Sequence, residues 1–544
     1  MNKNYFLSDP ILHKQLDNFA DDIIVKLSNL GAYVASRKGR DLVRILTEHK
    51  ANLRFSLQED NYQHNVYYHP AYHALMRYSV AESLSNSLWA DNCPLNEQEN
   101  NNRHLLRCVK LFLLGQLESS HLHNLSATSA GFAIAIDSPF FRQILPSLIN
   151  SKFYDPTLRP LIDKDGAIFS TVDLDLSYQL QKLPAFVKLP HGKLLVNATA
   201  EEDRNKITQQ IYRLQDVKLW VENITADGFF IQASVDGEAS YLFVPRFLPE
   251  GENNGIDIIC TPQKINAGVT MGGYLNFSGS LGWQIGKGGD GIFQEEEFNR
   301  HLQFDQSVIL VALMRSALLE LMQQYKDETI PEVIENIIAD IAVEIAGLTV
   351  LILRLARAYD QASVNRQEAA FVSILTPVVR YYAGRAAPMI ILELLRCAKA
   401  NSWLQSEYFN SLLANVMRFE ENYNRSNHVA DSIMNKISAS PDKLDYIFNW
   451  IDENFGQAKQ GILEVLQAAA RISTNDITTA PLFIEQLALS IAAAELRIKD
   501  MNMLADIFIA TRLAGPWRFG YGLSNSLYSF QEIMSEVIID FEKN

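Results

Sequence analysis

The 544 residues are 48% hydrophobic and 20% charged, the balance of a soluble globular protein long enough to bury several cores. A formal charge of −15 excludes a phosphate-seeking field over the whole surface, so nucleic acid is not an expected partner. The scattered cysteines Cys93, Cys108, Cys260 and Cys397 form no C-x-x-C pair, which excludes a disulfide framework and a cysteine zinc site.

At the N-terminus Ser8-Asp9-Pro10 offers a helix cap and a first-turn proline. Ile11, Leu12, Leu16, Phe19, Ile23, Ile24, Leu27 and Leu30 then recur at helical spacing. No apolar signal core precedes them, so a cytoplasmic protein is expected. Further helical patterns lie at 40–50, 70–90, 103–118 and 139–150. From 166 to 285 the period shortens. Ile168–Leu174, Lys193–Val196, Gln210–Trp220, Phe229–Ala233, Tyr241–Val244, Ile256–Cys260 and Tyr274–Phe277 read as strands between glycine turns. Helical spacing returns at 292, with long helices over Ile309–Tyr325, Pro331–Tyr359, Gln367–Lys399, Ser406–Asn422 and Val429–Ile437. Val308–Met322 reads as the most apolar run, but Arg315 and Glu320 interrupt it, so no membrane partner is expected. Ser440-Pro441-Asp442 opens a last helical block. The domains expected are 1–165 helical, 166–291 an antiparallel β-barrel, 292–440 a four-helix bundle and 441–544 helical, an α+β chain.

Three motifs invite chemistry and have plainer readings. His69 and His73 sit four apart, and His121-Leu122-His123 is an H-x-H, but no third ligand is nearby and packing is preferred over metal. Gly286–Gly291 lacks the Walker spacing and reads as a tight strand-to-helix turn.

Five segments, in order, resemble the AidB-like branch of the acyl-CoA dehydrogenase superfamily. They are His69–Met76, Tyr241–Pro249, Gly282-Trp283 with Gly289-Asp290-Gly291, Arg354–Asp360, and Thr376-Pro377. The similarity spans about residues 60 to 437. It implies an acyl-CoA dehydrogenase-like fold, with an N-terminal helical domain, a β-barrel, a helical bundle and an extra C-terminal helical domain. It also implies FAD held partly by a neighbouring subunit, and hence a dimer or tetramer.

Set against that family, the positions that would hold flavin or do chemistry are altered. The flavin-capping loop corresponds to Asn197–Arg204, which has no glycine and is shortened. The Lys-Trp-Phe-x-Ser element becomes Lys218-Leu219-Trp220-Val221-Glu222, with a carboxylate for the serine and the aromatic displaced to Trp220. Two arginines are lost, at Gly268 and Gln303. The loop toward a neighbour's pyrophosphate becomes acidic at Asp327 and Glu328, and the glycine-rich adenine turn becomes Arg396–Ala400. The family's catalytic glutamate falls on Tyr423, with Glu420 and Glu421 as the substitutes if a base survives. The expectation is a scaffold without FAD or metal, acting as a homo-oligomer or beside an active paralogue. The alternative is a divergent FAD-dependent oxidoreductase of an acyl thioester. The family's association with DNA through a basic C-terminal region is not expected here, because residues 441–544 carry 8 Lys and Arg against 14 Asp and Glu.

Overall fold

The computed structural model describes all residues except 1–3, 59–60, 90–95, 137, 143–147, 149–151, 175–176, 178–185, 189–193, 202–209, 216, 261–267, 327, 400–406, 422–425, 456–458, 515–519, 523–527 and 539–544. The chain forms two compact units. One comprises Met1–Arg40, Leu95–Ser119 and Gln303–Asn544; the other comprises Asp41–Pro94 and Ser120–Leu302.

The first unit is helical. Its N-terminal part holds α1 (Pro10–Gln15) and α2 (Asp21–Ala35). Asp9 caps α1 by accepting the amides of Ile11 and Leu12, as the Ser-Asp-Pro signal implies. Most of the helix α3 (Arg37–Glu48) and all of α4 (Pro70–Ala81) belong to the second unit, whereas α5 (Glu97–Asn101) and α6 (Arg103–Gly115) belong to the first. The helix α7 (Leu122–Ala135) belongs to the other unit. Long helices then carry the first unit: α8 (Gly291–Gln324, part of it), α9 (Glu332–Gln361), α10 (Arg366–Cys397), α11 (Glu407–Glu421) and α12 (Ser426–Ala439). Five more complete it: α13 (Pro441–Asn454), α14 (Lys459–Asn475), α15 (Ala480–Ile498), α16 (Asn502–Phe508) and α17 (Phe530–Val537).

Three helical stretches, Gly291–Gln324, Glu332–Gln361 and Ile477–Ile498, are long and apolar enough to cross a membrane by length and composition. Their most apolar windows are 89%, 89% and 61% buried inside the chain, as core helices are. The most apolar of them is α9, with a mean hydropathy of 2.0, and not the Val308–Met322 run.

The second unit is built on a sheet. The strands are β3 (Phe169–Asp173), β4 (Phe186–Lys188), β5 (Leu194–Glu201), β6 (Ile211–Leu214), β7 (Lys218–Val221), β8 (Gly228–Val235), β9 (Glu238–Pro245), β10 (Asp257–Cys260), β11 (Gly273–Asn276) and β12 (Leu281–Ile285). Their order is β10-β11-β7-β3-β8-β9-β12-β6-β5-β4, and a further β8–β5 pairing closes β5, β6, β12, β9 and β8 into a ring. The barrel is not wholly antiparallel: β3 and β5 both pair with β8 in parallel, β3 beside Gly228–Phe230 and β5 beside Ala233–Val235. Parallel neighbours need long crossovers, and the chain supplies them between β3, β5 and β8. A separate hairpin, β1 (Asn52–Gln58) and β2 (Asn61–Tyr67), interrupts the stretch expected to be helical throughout.

Phe229, Ile231, Leu242 and Val244 of the ring form one buried cluster with Leu219, Val221, Leu275 and Phe277, which lie outside the ring. On the opposite faces of β8 and β9, Phe230 and Phe243 pack with Phe132, Phe141 and Trp283. Alternation of two buried faces along one strand is why the β8 side chains are buried at every position.

Candidate functional site

In β7 the side chains alternate across the sheet. Leu219 and Val221 point into the ring cluster. Trp220 lies on the opposite face, 2% exposed, with its Nε1 donating to Glu222 Oε1 at 2.9 Å. Glu222 is only 3% exposed, so its carboxylate is buried but hydrogen-bonded. The one-position displacement of the aromatic thus places Trp220 on the face opposite Leu219, together with Glu222.

Trp220 is held on several sides. Its amide donates to Ser177 Oγ at 2.8 Å, and the Tyr274 ring meets it edge-on with centroids 5.2 Å apart. A Cβ at Gly272 would come within 2.9 Å of Trp220 Cζ2, so glycine there leaves the indole its room. Directly opposite Trp220 stand Asp173 on β3 and Tyr274 on β11, and Tyr274 in turn opposes Cys260 on β10. Burial pushes the Tyr274 hydroxyl up to about 12, and the nearby Cys260 and Asp173 add to the shift.

The segment that stands where the family has its flavin-capping loop, read as shortened, is strand through Glu201. Ala198–Glu201 pair with Leu214–Ile211 of β6, and Val196–Ala198 pair in parallel with Ala233–Val235 of β8. Residues 202–204 of that expected loop lie outside the described residues.

The most specific of the family strings, Tyr241–Pro249, ends in a structural arginine. Arg246 donates from Nε to the Ala226 carbonyl at 2.7 Å and from Nη2 to the Ile224 carbonyl at 2.5 Å. Burial lowers its guanidinium to about 10 against the opposing pull of Asp227. Asp227 is itself buried, held by Lys164 Nζ at 2.8 Å and the Ile168 amide at 2.9 Å. The string therefore fastens the turn before β8.

In the helical unit, Gln303 is half-buried and its carbonyl accepts Ser307 Oγ at 2.7 Å. Phe304 stacks on Tyr359 at 5.0 Å, and Asp305 grips Arg107 through two bonds of 2.5 and 2.6 Å. The Arg354–Asp360 string is equally structural. Arg354 holds Glu368 at 2.7 and 3.0 Å and lies over the Phe371 ring at 4.1 Å, while Arg357 pairs with Glu495. The Tyr359 hydroxyl meets Thr376 Oγ1 at 3.0 Å, joining this string to Thr376-Pro377. Asp360 caps α6 from another helix by accepting the amides of His104 at 2.7 Å and Leu105 at 3.0 Å.

Burial pushes Asp360 up to about 7, outweighing those two amides and Arg357. A group raised in the fold contributes stability fully below its ordinary value of 3.8, and that contribution is lost as pH rises through about 7. Glu495, also raised by burial, moves the same way. Denaturant melts between about pH 4.5 and 7.5 should show stability falling with pH, less steeply in Asp360→Asn. An unchanged slope in that variant would remove Asp360 as a source.

The other expected residues are placed as follows. Glu420 and Glu421 end α11; Tyr423 lies outside the described residues, as does Asp327. Glu328 is bridged by Lys399 at 2.6 Å, so the acid of that turn is met by a cation from the turn that replaces the adenine loop. His69 caps α4 through the Ala71 amide at 3.1 Å, and His73 Nδ1 meets the Tyr154 hydroxyl at 3.1 Å. His121 bonds Ser79 at 2.8 Å and His123 bonds Thr171 at 3.3 Å, so all four histidines have packing roles. Gly286–Gly291 is the turn from β12 into α8, with positive φ at Gly286 and Gly289.

Sequence reasoning missed a buried ion cluster in the helical unit. Arg512, in the π-turn Ile509–Leu513, donates from Nε to Glu344 Oε2 at 2.7 Å, from Nη2 to the Asp340 carbonyl at 2.9 Å, and from Nη1 to the Asp340 carboxylate. The Tyr382 hydroxyl donates to Glu344 and the Gly522 amide to Asp340 Oδ2 at 2.9 Å. Burial alone would lower the Arg512 guanidinium, but Glu344 and Asp340 hold it well above its usual value. Asp340 and Glu344 at four-residue spacing inside the apolar run of α9 were the available signal.

Residues 1–156 match the family model of the adaptive response protein AidB N-terminal domain. Over 407 residues the chain is 23% identical to AidB of Escherichia coli (strain K12), named for an acyl-CoA dehydrogenase; 72% of this chain and 70% of that one are covered. The likeness is to the AidB-like branch of the acyl-CoA dehydrogenases. It begins at the first residue, well before the 60 read from the sequence strings. The AidB-like fold is shared with Caenorhabditis elegans ACDH-11, whose structure is a complex with C11-CoA. The TM-score is 0.78 at 14% identity, over 96% of this chain and 93% of that one. A Bacillus anthracis acyl-CoA dehydrogenase complexed with FAD aligns with a TM-score of 0.61 at 10% identity, over 95% and 87% of the two chains. The acyl-CoA dehydrogenase-like α+β fold expected from the sequence is thus the fold observed.

Three positions that the resemblance assigns to the flavin's surroundings are described in the second unit. Trp220 offers an aromatic on the Glu222 face. The buried side chain of Glu222 stands where the resemblance implies a hydroxyl. Along β5, residues Val196–Glu201 are paired in two ladders.

Proposed function

We propose that this AidB-like chain is a non-catalytic member of its fold that does not hold FAD and serves as an oligomeric or ligand-binding subunit. The observation that carries the proposal is β5. Backbone N–H groups paired with β6 and β8 are not free to cradle a flavin, and unpairing them would open the ring. Glu222 supports it, because a buried acid disfavours any electron-rich or phosphate-bearing neighbour. The partner is a second copy of the chain, in a dimer or tetramer, or an active paralogue in a mixed oligomer. The proposal expects a cytoplasmic protein that binds neither nucleic acid nor membranes.

A second reading has one observation in its favour, the retained aromatic face at Trp220. It makes the chain a divergent FAD-dependent oxidoreductase of an acyl thioester, with Glu420 or Glu421 as base. The FAD and C11-CoA complexes of the two structural neighbours support that reading. The visible spectrum of the purified protein, with FAD added and the excess removed, separates the two. A colourless protein is expected. Near-stoichiometric bound flavin would overturn the proposal in favour of the second reading.

A further inference from the structure

We infer that the outward face of α14 is an interface for a second copy of this chain, with the two α14 helices paired antiparallel about a two-fold axis. The inference deepens the reading of an oligomeric subunit and rests on it. The helix packs on α13 and α15, and Leu466, Ala470 and Ser473 are buried along it. At about 100° per residue, a second row lies roughly 140° around the helix from these three. It runs Gly461, Val465, Ala468, Ile472, all exposed, with Val465 at 59% and Ile472 at 55%. A Cβ at Gly461 would meet nothing within 4 Å. Single exposed apolar residues are ordinary on a surface. A row spaced four, three and four residues apart is the seam along which one helix packs into another.

The charges beside the row choose the occupant. Glu464 and Arg471 each stand one position before a large apolar residue of the row, seven residues apart and so on one flank. Both are exposed, and they are the charged residues of 461–475, so this stretch is neutral in a chain of −15. Copies of so acidic a chain repel unless their contact is locally balanced, as it is here. Arg471 donates from Nε to the Gln467 carbonyl of its own helix at 3.3 Å, a bond that does not use Nη1 or Nη2. Set Val465 against the partner's Ala468, and Ile472 falls against the partner's Gly461. Glu464 then faces the partner's Arg471. The two-fold axis makes each pairing twice, so every flank charge of both copies is met. A large residue also meets a small one in each layer, which lets the helices approach. Parallel pairing would set each residue beside its own copy, large against large, and give Glu464 no cation.

Sedimentation of the full chain between about 1 and 100 µM reads the association, because a seam this short belongs with small, weak interfaces. The wild type should show a concentration-dependent step. Arg471→Glu puts like charges on both flanks and should weaken that step at least about tenfold, as should Glu464→Arg. The double variant Glu464→Arg/Arg471→Glu exchanges the charges and should recover wild-type association. An equal mixture of the two single variants should recover it too, because the mixed pair again meets opposite charges on both flanks. If wild type and variants associate alike, another surface carries the contact; this inference falls and the oligomeric reading stands. If the single variants weaken the step and neither the double variant nor the mixture recovers it, the antiparallel register is overturned. A wild type that stays monomeric throughout overturns both this inference and the second-copy partner.

Discussion

Replacing Arg512 by methionine is expected to cost the helical unit about 3–5 kcal/mol, the usual loss when one partner of a buried ion pair is removed. Arg512 is 2% exposed, and Asp340 and Glu344 are 1% exposed each, so the variant leaves two carboxylates in an apolar interior with one counterion gone. They keep the Tyr382 hydroxyl and the Gly522 amide, which is too little for two charges. Calorimetric melting should show the lower-temperature transition in the variant. Adding Asp340→Asn and Glu344→Gln should restore more than half of the loss, because neutral amides no longer need the guanidinium. If the triple variant melts like Arg512→Met alone, uncompensated charge is not the cause.

Arg246→Met is expected to destabilise the β unit by about 2–4 kcal/mol, from two lost charge-assisted bonds and two stranded carbonyls. Ile224 and Ala226 lie in the turn that delivers the chain into β8, and β8 pairs with β9, β5 and β3. Loosening that turn therefore loosens both the ring and its extension. Arg246→Lys should recover only part, since a single ammonium cannot hold the fork geometry of Nε and Nη2. Proteolysis within 210–260 under native conditions should rise in the methionine variant and less in the lysine one. Equal resistance in all three would show that the turn does not depend on the clamp.

How far the sequence revealed the fold depends on what each segment does with its faces. The helix α2 was legible because one face is apolar, and α9 because its apolar run is long. The helix α7 was not: Leu122–Phe132 are buried on every side, so the small and polar residues of LHNLSATSAGF show no period. Its Gly131 lies so close to Phe230 that a Cβ would sit 2.2 Å from the ring, a helix pressed flat on a sheet. Gln210–Trp220 read as one strand, yet it is β6 and β7 with a break between them. The strand β12 hid beside a glycine-rich turn.

The candidate site shows the same division. Family strings such as Arg354–Asp360 and Tyr241–Pro249 pointed to fold, and the fold explains them as clamps and caps. Substitutions at Glu222 and Asn197–Glu201 were visible, but their meaning depended on strand faces and pairing. Only register shows that Trp220, and not Leu219, accompanies Glu222. The row from Asp173 to Cys260 spans 88 positions of sequence and could not be seen before the strands were ordered.

The closure of β5 onto β8 also bears on how this protein avoids its own kind. A strand with a free edge is an invitation to another strand, and fibrils grow from such invitations. Here the main sheet's terminal strands, as described, are β4 with three residues and β10 with four. Edges so short offer little template, and Asp257 places a charge on one of them. By curling part of its main sheet on itself, the chain leaves little of that sheet's backbone open to other chains.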